Sequence, residues 1–289
     1  MTNTPSPLHE MPPLNRVLLL GCGRMGHAML EGWLNSGVLA GEDLLVIEPS
    51  ERVRSQLAAR GVTAVATAAE VTAVKGNDWR ADLAVIAVKP QVIAEALAPL
   101  PPLIAGGGCV LSIAAGIRSD AFVRKFGNDV HVVRAMPNTP AAIGRGMIVL
   151  FADASVPSAI HERCEALMRV SGQVAWIGDE DLMDAVTAVS GSGPAYVFLM
   201  IEALAEAAAD AGLPEELAML LARATVCGAG ELAWRSDEDA ATLRRNVTSP
   251  GGTTAAALEV LMAPDGLTAL MKKAVAAAAA RSRELSAAG

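Results

Sequence analysis

The sequence predicts an α/β protein, with a doubly wound, mostly parallel sheet in residues 15–180 followed by an all-α domain in residues 181–289. Two observations give this fold class. Short apolar runs alternate with amphipathic segments as far as Ile177, which is the βαβ pattern of a parallel sheet. From about Asp181 the strand signals stop, and helical segments separated by glycine- and proline-rich breaks follow. Residues 1–14, rich in proline and polar groups, are expected to form a flexible tail.

A glycine motif lies between the first strand and the first helix. Arg16 to Leu20 is short, apolar and mostly branched, as expected for a buried strand. Gly21, Gly23 and Gly26 follow in the G-x-G-x-x-G spacing, and an amphipathic segment comes next. In this context the first glycine permits a sharp turn, the second lets a pyrophosphate approach the backbone, and the third lets the helix pack on the strand. The motif therefore predicts a dinucleotide site at a helix N-terminus.

The second strand ends in an acidic residue. Leu44 to Ile47 is apolar, and Glu48 follows it, about twenty residues past the last glycine of the motif. At this place an acid holds the ribose hydroxyls of a dinucleotide. Ser50 is expected to cap a helix that runs to Arg60.

The remaining elements continue the alternation. The most strand-like run in the chain is Ala81 to Val88, which is apolar almost throughout, as in a strand buried on both faces. The other predicted elements are a short helix after Thr67–Glu70, helix 91–98, strand 109–113, helix 119–126, strand 130–134, strand 147–151, helix 157–170 and strand 174–177.

Loops at the carboxyl ends of parallel strands line the ligand crevice of such a sheet. In this chain these loops are Gly21–Gly26, Glu48–Arg52, Val88–Gln91, Ala114–Gly116 and Met136–Pro140. We expect them to lie along one edge of the sheet.

The second half of the chain consists of helices that are apolar over much of their circumference. The predicted helices are 182–189, 195–211, 215–232, 240–246, 253–262 and 266–285. Such helices are usually buried, and a second copy of the chain is the expected partner. No membrane span is expected, because prolines and glycines break the uncharged stretch from Ala96 to Ile117.

Composition excludes several classes of partner. The net charge of −8, without clustered lysine and arginine, argues against nucleic acid, and an aromatic content of 3% leaves few base-stacking platforms. The scattered Cys22, Cys109, Cys164 and Cys227 form no C-x-x-C pair and have no nearby histidine that would suggest zinc, so no metal site is expected. We interpret them as buried free thiols in a reducing cytoplasm.

Two glycine-rich breaks in the helical half are candidate sites. Ser190 to Pro194 precedes the only tyrosine, Tyr196, and is either a serine helix cap or a place where a neighbouring subunit approaches closely. In the break from Thr248 to Thr254, the amides near Gly252 lie at a helix start, where a small carboxylate binds well. The same pattern is also common in ordinary helix caps.

The distribution of lysine and histidine limits the classes of reduction that the helical half can support. No lysine lies between Lys125 and Lys272, and no histidine follows His161, so the helical half lacks the usual proton donors of alcohol and hydroxy-acid dehydrogenases. A cyclic imine needs no such donor, because its iminium form already carries the proton. An imine reductase is thus the favoured hypothesis. A β-hydroxyacid dehydrogenase and a non-catalytic dinucleotide sensor are the alternatives.

The chain resembles pyrroline-5-carboxylate reductase in motifs that follow the family's order along nearly its whole length. These motifs are GCGRMGHAM, AVKPQ, SIAAG, VVRAMPNTPAAIGRGM, AVSGSGPAYVFLMIEAL, AGLP and NVTSPGGTTAAALEVL. The resemblance implies NAD(P)H-dependent reduction of 1-pyrroline-5-carboxylate to L-proline, the last step of proline biosynthesis. It also implies a Rossmann-like domain followed by a helical dimerisation domain, assembled as a homodimer or as a ring of dimers such as a homodecamer.

The resemblance also implies site residues, which we carry over by position. Cofactor contacts are expected at Gly21, Cys22, Gly23, Arg24, Met25, Gly26, Glu48, Ala87, Val88, Lys89, Pro90, Ala114, Ala115, Gly116 and Asn138. Substrate contacts are expected at Asn246, Ser249, Gly252, Thr253 and Thr254, with Thr254 as the catalytic hydroxyl near the imine nitrogen. Glu48 differs from the small or basic residues of members that prefer NADPH. A carboxylate there favours NADH and Arg52 offsets it, so the choice between NADPH and NADH stays open.

Overall fold

The computed structural model describes residues 15–288, and its first part is built on eight strands. The strands are β1 Val17–Leu20, β2 Leu44–Ile47, β3 Thr63–Val65, β4 Ala81–Ile86, β5 Ile104–Ser112, β6 His131–Met136, β7 Gly146–Ala152 and β8 Gly172–Ile177. They form one sheet in the order β3-β2-β1-β4-β5-β6-β7-β8. Because the order reverses between β1 and β4, their carboxyl ends flank the topological switch point where such sheets bind ligands.

Helices cover both faces of this sheet. They are α1 Arg24–Ser36, α2 Glu51–Ala58, α3 Val71–Lys75, α4 Ile93–Leu97, α5 Ser119–Phe126, α6 Ser158–Arg169 and α7 Met183–Val186. Alternate residues of β1 belong to different cores, with Leu19 packing in the cluster that contains Trp33 and Leu18 in the cluster that contains Phe122. The predicted doubly wound architecture is confirmed. It explains why β1 is apolar at every position, since both faces are buried.

Strand β7 makes the sheet mixed rather than purely parallel. The five pairings among β1 to β6 are parallel, whereas β7 runs antiparallel to β6. The connection between them contains only the short 3-10 helix Thr139–Ile143, which is too short for a parallel crossover. β8 then pairs parallel to β7 after α6. Strand β3 was not predicted, because it has three residues and only Val65 is buried.

The described chain divides into two compact units. The first unit contains the chain up to Gly191 and the residues from Arg281 onwards. The second unit is Ser192–Ala280. The helices from there on are α8 Gly193–Asp210, α9 Glu215–Arg235, α10 Ala240–Asn246, α11 Thr253–Leu261 and α12 Leu267–Ala288, whose last turns belong to the first unit. This division falls later than the boundary at residue 180 expected from sequence. The expected tail, residues 1–14, lies outside the described residues.

The segment from Ser190 to Pro194 is no simple helix cap. Thr187–Gly191 forms a π-helical turn after α7, and Ser192 has helical φ and ψ without a capping bond from its side chain. Ser192 still stands at the N-cap position of α8, with Pro194 in the first turn, so the serine-cap interpretation is correct for the position but not for a capping bond. Small residues at this point fit a turn in which a side chain on Gly191 would meet the Met136 methyl group at 2.7 Å.

The helices of the second unit expose much apolar surface. Phe198, Leu199 and Leu220 are 57%, 62% and 63% exposed. Two helical stretches, Glu180–Asp210 and Glu215–Arg235, are long and apolar enough to cross a membrane by length and composition. Cys227, on α9, is also exposed, so the expectation of four buried thiols is correct only for Cys22, Cys109 and Cys164.

Candidate active site

The glycine motif forms a tight loop between β1 and α1. Gly21 has a φ of +86° and donates its N–H to the Ile47 carbonyl at 2.9 Å. A Cβ on Gly26 would lie 2.5 Å from the Gly21 carbonyl oxygen, so the third glycine is required for the helix to approach the strand. A Cβ on Gly23 would meet nothing within 4 Å. The middle glycine thus faces open space, as expected where a pyrophosphate approaches the backbone.

The Glu48 carboxylate closes this loop from the end of β2. One of its oxygens accepts the Cys22 N–H at 2.8 Å, and the other accepts the Ser50 N–H at 2.9 Å. Burial, followed by the nearby charges of Glu48 and Glu31, raises the pKa of Cys22 to about 11. The thiol therefore stays protonated at neutral pH, and Cys22 serves the loop through its backbone amide rather than as a nucleophile.

A cavity of about 510 Å³ opens beside Glu48. Its lining combines the glycine loop, the end of β2 and the start of α2: Cys22, Gly23, Arg24, His27, Glu48, Ser50, Arg52, Val53 and Gln56. The sequence predicted Ser50 as part of the Glu48–Arg52 loop but did not assign His27, Val53 or Gln56 to the site. Their position immediately after a predicted glycine motif or strand is the signal that could have found them. The residues present fit a dinucleotide, because open backbone, a ribose-side acid and two arginines border one cavity.

The other predicted nucleotide loops lie at the same edge of the sheet. A Cβ on Gly21 would contact Val88 Cγ1 at 2.8 Å and the Ala87 carbonyl oxygen at 3.1 Å, so these loops touch. Lys89 is extended and exposed, and Pro90 begins a short 3-10 helix.

The loop after β5 adjoins the end of the chain. Ala114 donates its N–H to Ser112 Oγ, and Ala115 is only partly buried. Gly116 has a φ of +77°, and a Cβ there would lie 3.5 Å from Leu285 Cβ. The return of the last turns of α12 to this loop was not predicted.

Asn138, predicted to contact the cofactor, is already engaged within the first unit. Its side-chain oxygen accepts the Met147 N–H at 2.9 Å, and its amide nitrogen donates to the Ser190 carbonyl at 3.1 Å. The residue thus ties the loop after β6 to β7 and to the π-helical turn. A direct contact with the cofactor stays a prediction.

The predicted substrate residues are distributed over the end of α10, the turn that follows and the start of α11. Gly251 has a φ of +68°, and the Gly252 N–H donates to the Ser249 carbonyl at 3.1 Å. Gly252 is the extended N-cap of α11 and provides no side-chain cap, so the amides of Thr253 and Thr254 begin the helix without an intrahelical partner. Asn246 donates from its side chain to Glu238 at 3.0 Å.

Comparison with known proteins identifies the family. The family model described as pyrroline-5-carboxylate reductase dimerisation matches residues 180–285, and the model described as NADP oxidoreductase, coenzyme F420-dependent, matches residues 16–116. The chain is 38% identical to pyrroline-5-carboxylate reductase of Pseudomonas aeruginosa over 271 residues, covering 93% of this chain and 96% of that one. The chain belongs to the pyrroline-5-carboxylate reductase family.

Solved structures of family members have the same fold. The pyrroline-5-carboxylate reductase of Coxiella burnetii aligns with a TM-score of 0.86 at 34% identity, over 94% of this chain and 99% of that one. The Plasmodium falciparum pyrroline carboxylate reductase, solved with NADP bound, aligns with a TM-score of 0.78 at 28% identity, over 95% of this chain and 99% of that one.

The two family models match different groups of the predicted site residues. The first contains the glycine motif and the loops as far as Gly116, and the dimerisation model contains the turn with Thr254 together with the apolar helices α8 and α9. Membership in the pyrroline-5-carboxylate reductase family also favours the imine reductase over the β-hydroxyacid dehydrogenase considered from sequence.

Proposed function

We propose that this protein reduces 1-pyrroline-5-carboxylate to L-proline, the last step of proline biosynthesis, with NADH or NADPH as reductant. The observation that carries this proposal is the Gly21–Gly26 loop closed by Glu48, in a chain that belongs to the pyrroline-5-carboxylate reductase family over nearly its whole length. The same chain contains the turn that opens α11, which suits a small carboxylate.

The nucleotide is held by the loops at the carboxyl ends of β1, β2, β4, β5 and β6. The open face at Gly23 and the first amides of α1 would receive the pyrophosphate, and Glu48 would receive ribose hydroxyls. When bound, the nicotinamide supplies a hydride to the imine carbon. Ala87–Pro90 and Ala114–Gly116 border the cofactor in this proposal.

The α10–α11 turn holds the substrate. The amides of Thr253 and Thr254 lie at the positive end of the α11 dipole, where a carboxylate accepts hydrogen bonds and is stabilised. Asn246 and Ser249 provide polar groups beside them. The Thr254 hydroxyl orients the imine nitrogen, whose proton remains on it as the amine forms. No general acid is required, in agreement with the absence of lysine and histidine from this part of the chain.

The protein assembles as a homo-oligomer through its apolar helices. The dimerisation model covers α8 and α9, whose exposed apolar side chains need a partner surface. We assign the membrane-compatible length of these helices to that subunit interface and expect no binding to lipid vesicles or nucleic acid. A cytoplasmic enzyme that forms a ring of dimers completes the proposal.

A coupled assay tests the activity. Purified protein is given 1-pyrroline-5-carboxylate with NADH and, separately, with NADPH, and both nucleotide oxidation and proline formation are measured. We expect equimolar proline and oxidised nucleotide with at least one cofactor. Tight nucleotide binding without proline formation would instead support the non-catalytic sensor, and turnover of 3-hydroxy acids in its place would support the dehydrogenase.

A further inference from the structure

The Glu48 carboxylate occupies the place in the nucleotide cavity that decides between a ribose hydroxyl and a ribose phosphate. It lines the cavity together with Ser50 and Arg52. Its two oxygens accept hydrogen bonds from the backbone amides of Cys22 and Ser50, one on each side. A carboxylate oxygen has two acceptor sites, so each oxygen can still accept a hydrogen bond from a ribose hydroxyl.

A 2′-phosphate meets the opposite situation. Its oxygens are strong acceptors with about −1.5 to −2 of charge, and in the dianionic form they have no proton to donate to a carboxylate. The backbone amides of Cys22 and Ser50, which could otherwise bind an anion, are already used by Glu48. Glu48 therefore acts as an internal anion in the position that a 2′-phosphate would need.

Two arginines border the same cavity and act in the other direction. Arg24 and Arg52 are exposed on long side chains, so ordering either of them against a phosphate costs side-chain entropy. Glu48 is only partly exposed and is fixed by two charge-assisted hydrogen bonds. The fixed carboxylate, rather than the exposed cations, thus dominates at the ribose.

We propose that Glu48 is a specificity-determining residue that makes this reductase prefer NADH to NADPH. The inference rests on the proposed function, because it assigns the ribose end of the nucleotide to this cavity. The chain's own acid, rather than its family, sets the preference.

Direct binding tests the proposal without turnover. Calorimetry of the full-length protein is carried out with ADP-ribose and with its 2′-phosphate. We expect ADP-ribose to bind at least about tenfold more tightly, and Glu48→Gln, which keeps one carbonyl acceptor and loses the charge, to reduce this ratio by about tenfold. Glu51→Gln is the matched control, since Glu51 is exposed and does not line the cavity, and it should leave the ratio unchanged.

Kinetics with both cofactors separate this inference from the proposed function. If proline forms with neither NADH nor NADPH, the proposed activity is overturned. The ratio of the affinities for ADP-ribose and its 2′-phosphate still tests the role of Glu48 in that case. Activity with an equal or higher kcat/KM for NADPH in the unmodified protein overturns the inference alone, as does a Glu48→Gln ratio that matches Glu51→Gln. If Glu48→Gln does not fold, the role of Glu48 is tested by the affinity ratio of the wild-type protein and by the cofactor preference of Arg52→Gln. The arginine variant is expected to leave the NADH preference in place, and loss of that preference contradicts the role of Glu48.

Discussion

At the scale of single residues, the glycines of the nucleotide loop have separable roles. A Cβ on Gly26 would lie 2.5 Å from the Gly21 carbonyl oxygen, whereas one on Gly23 would meet no atom within 4 Å. We expect Gly26→Ala to lower the free energy of unfolding by about 1–3 kcal/mol, because the loop must shift. Gly23→Ala should change it by less than about 0.5 kcal/mol yet abolish NADH binding. Urea unfolding and calorimetry of both variants measure this, and equal stability losses would contradict it.

Thr254 gives the second residue prediction. If its hydroxyl orients the imine nitrogen, Thr254→Ala should lower kcat about 10- to 100-fold, matching a hydrogen bond to a charged group of about 1.5–3 kcal/mol. The KM for the nicotinamide should stay nearly constant. Steady-state kinetics decide, with Thr254→Ser expected to restore most of kcat. An alanine variant with wild-type kcat would remove the assigned role.

The sequence predicts which residues lie close together better than it predicts the hydrogen bonds between them. The spacing of Gly21, Gly26 and Glu48 placed all three in one loop region, because the βαβ unit fixes where strands end. The bonds from Cys22 and Ser50 to Glu48 depend on backbone direction, which spacing does not contain. The partners of Asn138 lie nine and fifty-two positions away along the chain, so no local pattern indicates them.

At the scale of elements, burial decides what a sequence reveals. Helix α5, Ser119–Phe126, and strand β2, Leu44–Ile47, occur as predicted, because an amphipathic and a fully apolar run each have one stable arrangement. β3 is too short and too little buried to leave a signal. The antiparallel direction of β7 follows from the short length of its connection to β6, and the residues of β7 themselves do not indicate it.

One element-scale contact fixes the segment that leads from the sheet into the helical run. The Glu180 carboxylate accepts hydrogen bonds from the Ser119 N–H and hydroxyl at 2.7 Å and from Arg134 at 2.8 Å, with both ionic side chains about nine-tenths buried. Glu180→Gln leaves Arg134 buried without its counter-ion and should cost about 3–5 kcal/mol. Denaturant unfolding at fixed protein concentration measures this. As a control, Glu284→Gln removes the exposed ion pair with Arg281 and should lower the free energy of unfolding by less than about 1 kcal/mol.

The same contact has a defined pH dependence. Burial alone would raise the pKa of Glu180, but the bonds from Ser119 and the ion pair with Arg134 outweigh it and hold the pKa below its ordinary value. Because the folded-state pKa is lowered, the stabilisation is complete above the unfolded-state pKa of about 4.3 and is lost as the pH falls through the folded-state value. The difference in unfolding free energy between wild type and Glu180→Gln should therefore be constant near neutral pH and shrink below about pH 4. A constant difference throughout would refute this.

At the scale of the whole molecule, the apolar helices α8 and α9 explain why the chain assembles. Their exposed leucines and phenylalanine could not remain in water on a stable monomer without promoting association. The sequence predicted this from helices that are apolar around most of their circumference, and the dimerisation model covers the same region. The size of the assembly does not follow from these helices, because a ring requires a second interface.

A charge placed in this surface gives the last prediction. Leu220 on α9 is 63% exposed in the single chain, and a two-fold interface would bury it in both subunits. Leu220→Glu should bury an unpaired carboxylate twice per dimer, which costs far more than the lost apolar contact. We expect sedimentation at micromolar concentration to give mainly monomer, with the circular dichroism of the sheet domain retained. Ile143→Glu, which places the same charge on an apolar residue of the sheet unit that is 77% exposed, should sediment like wild type. Identical sedimentation of Leu220→Glu and wild type would place the subunit interface elsewhere.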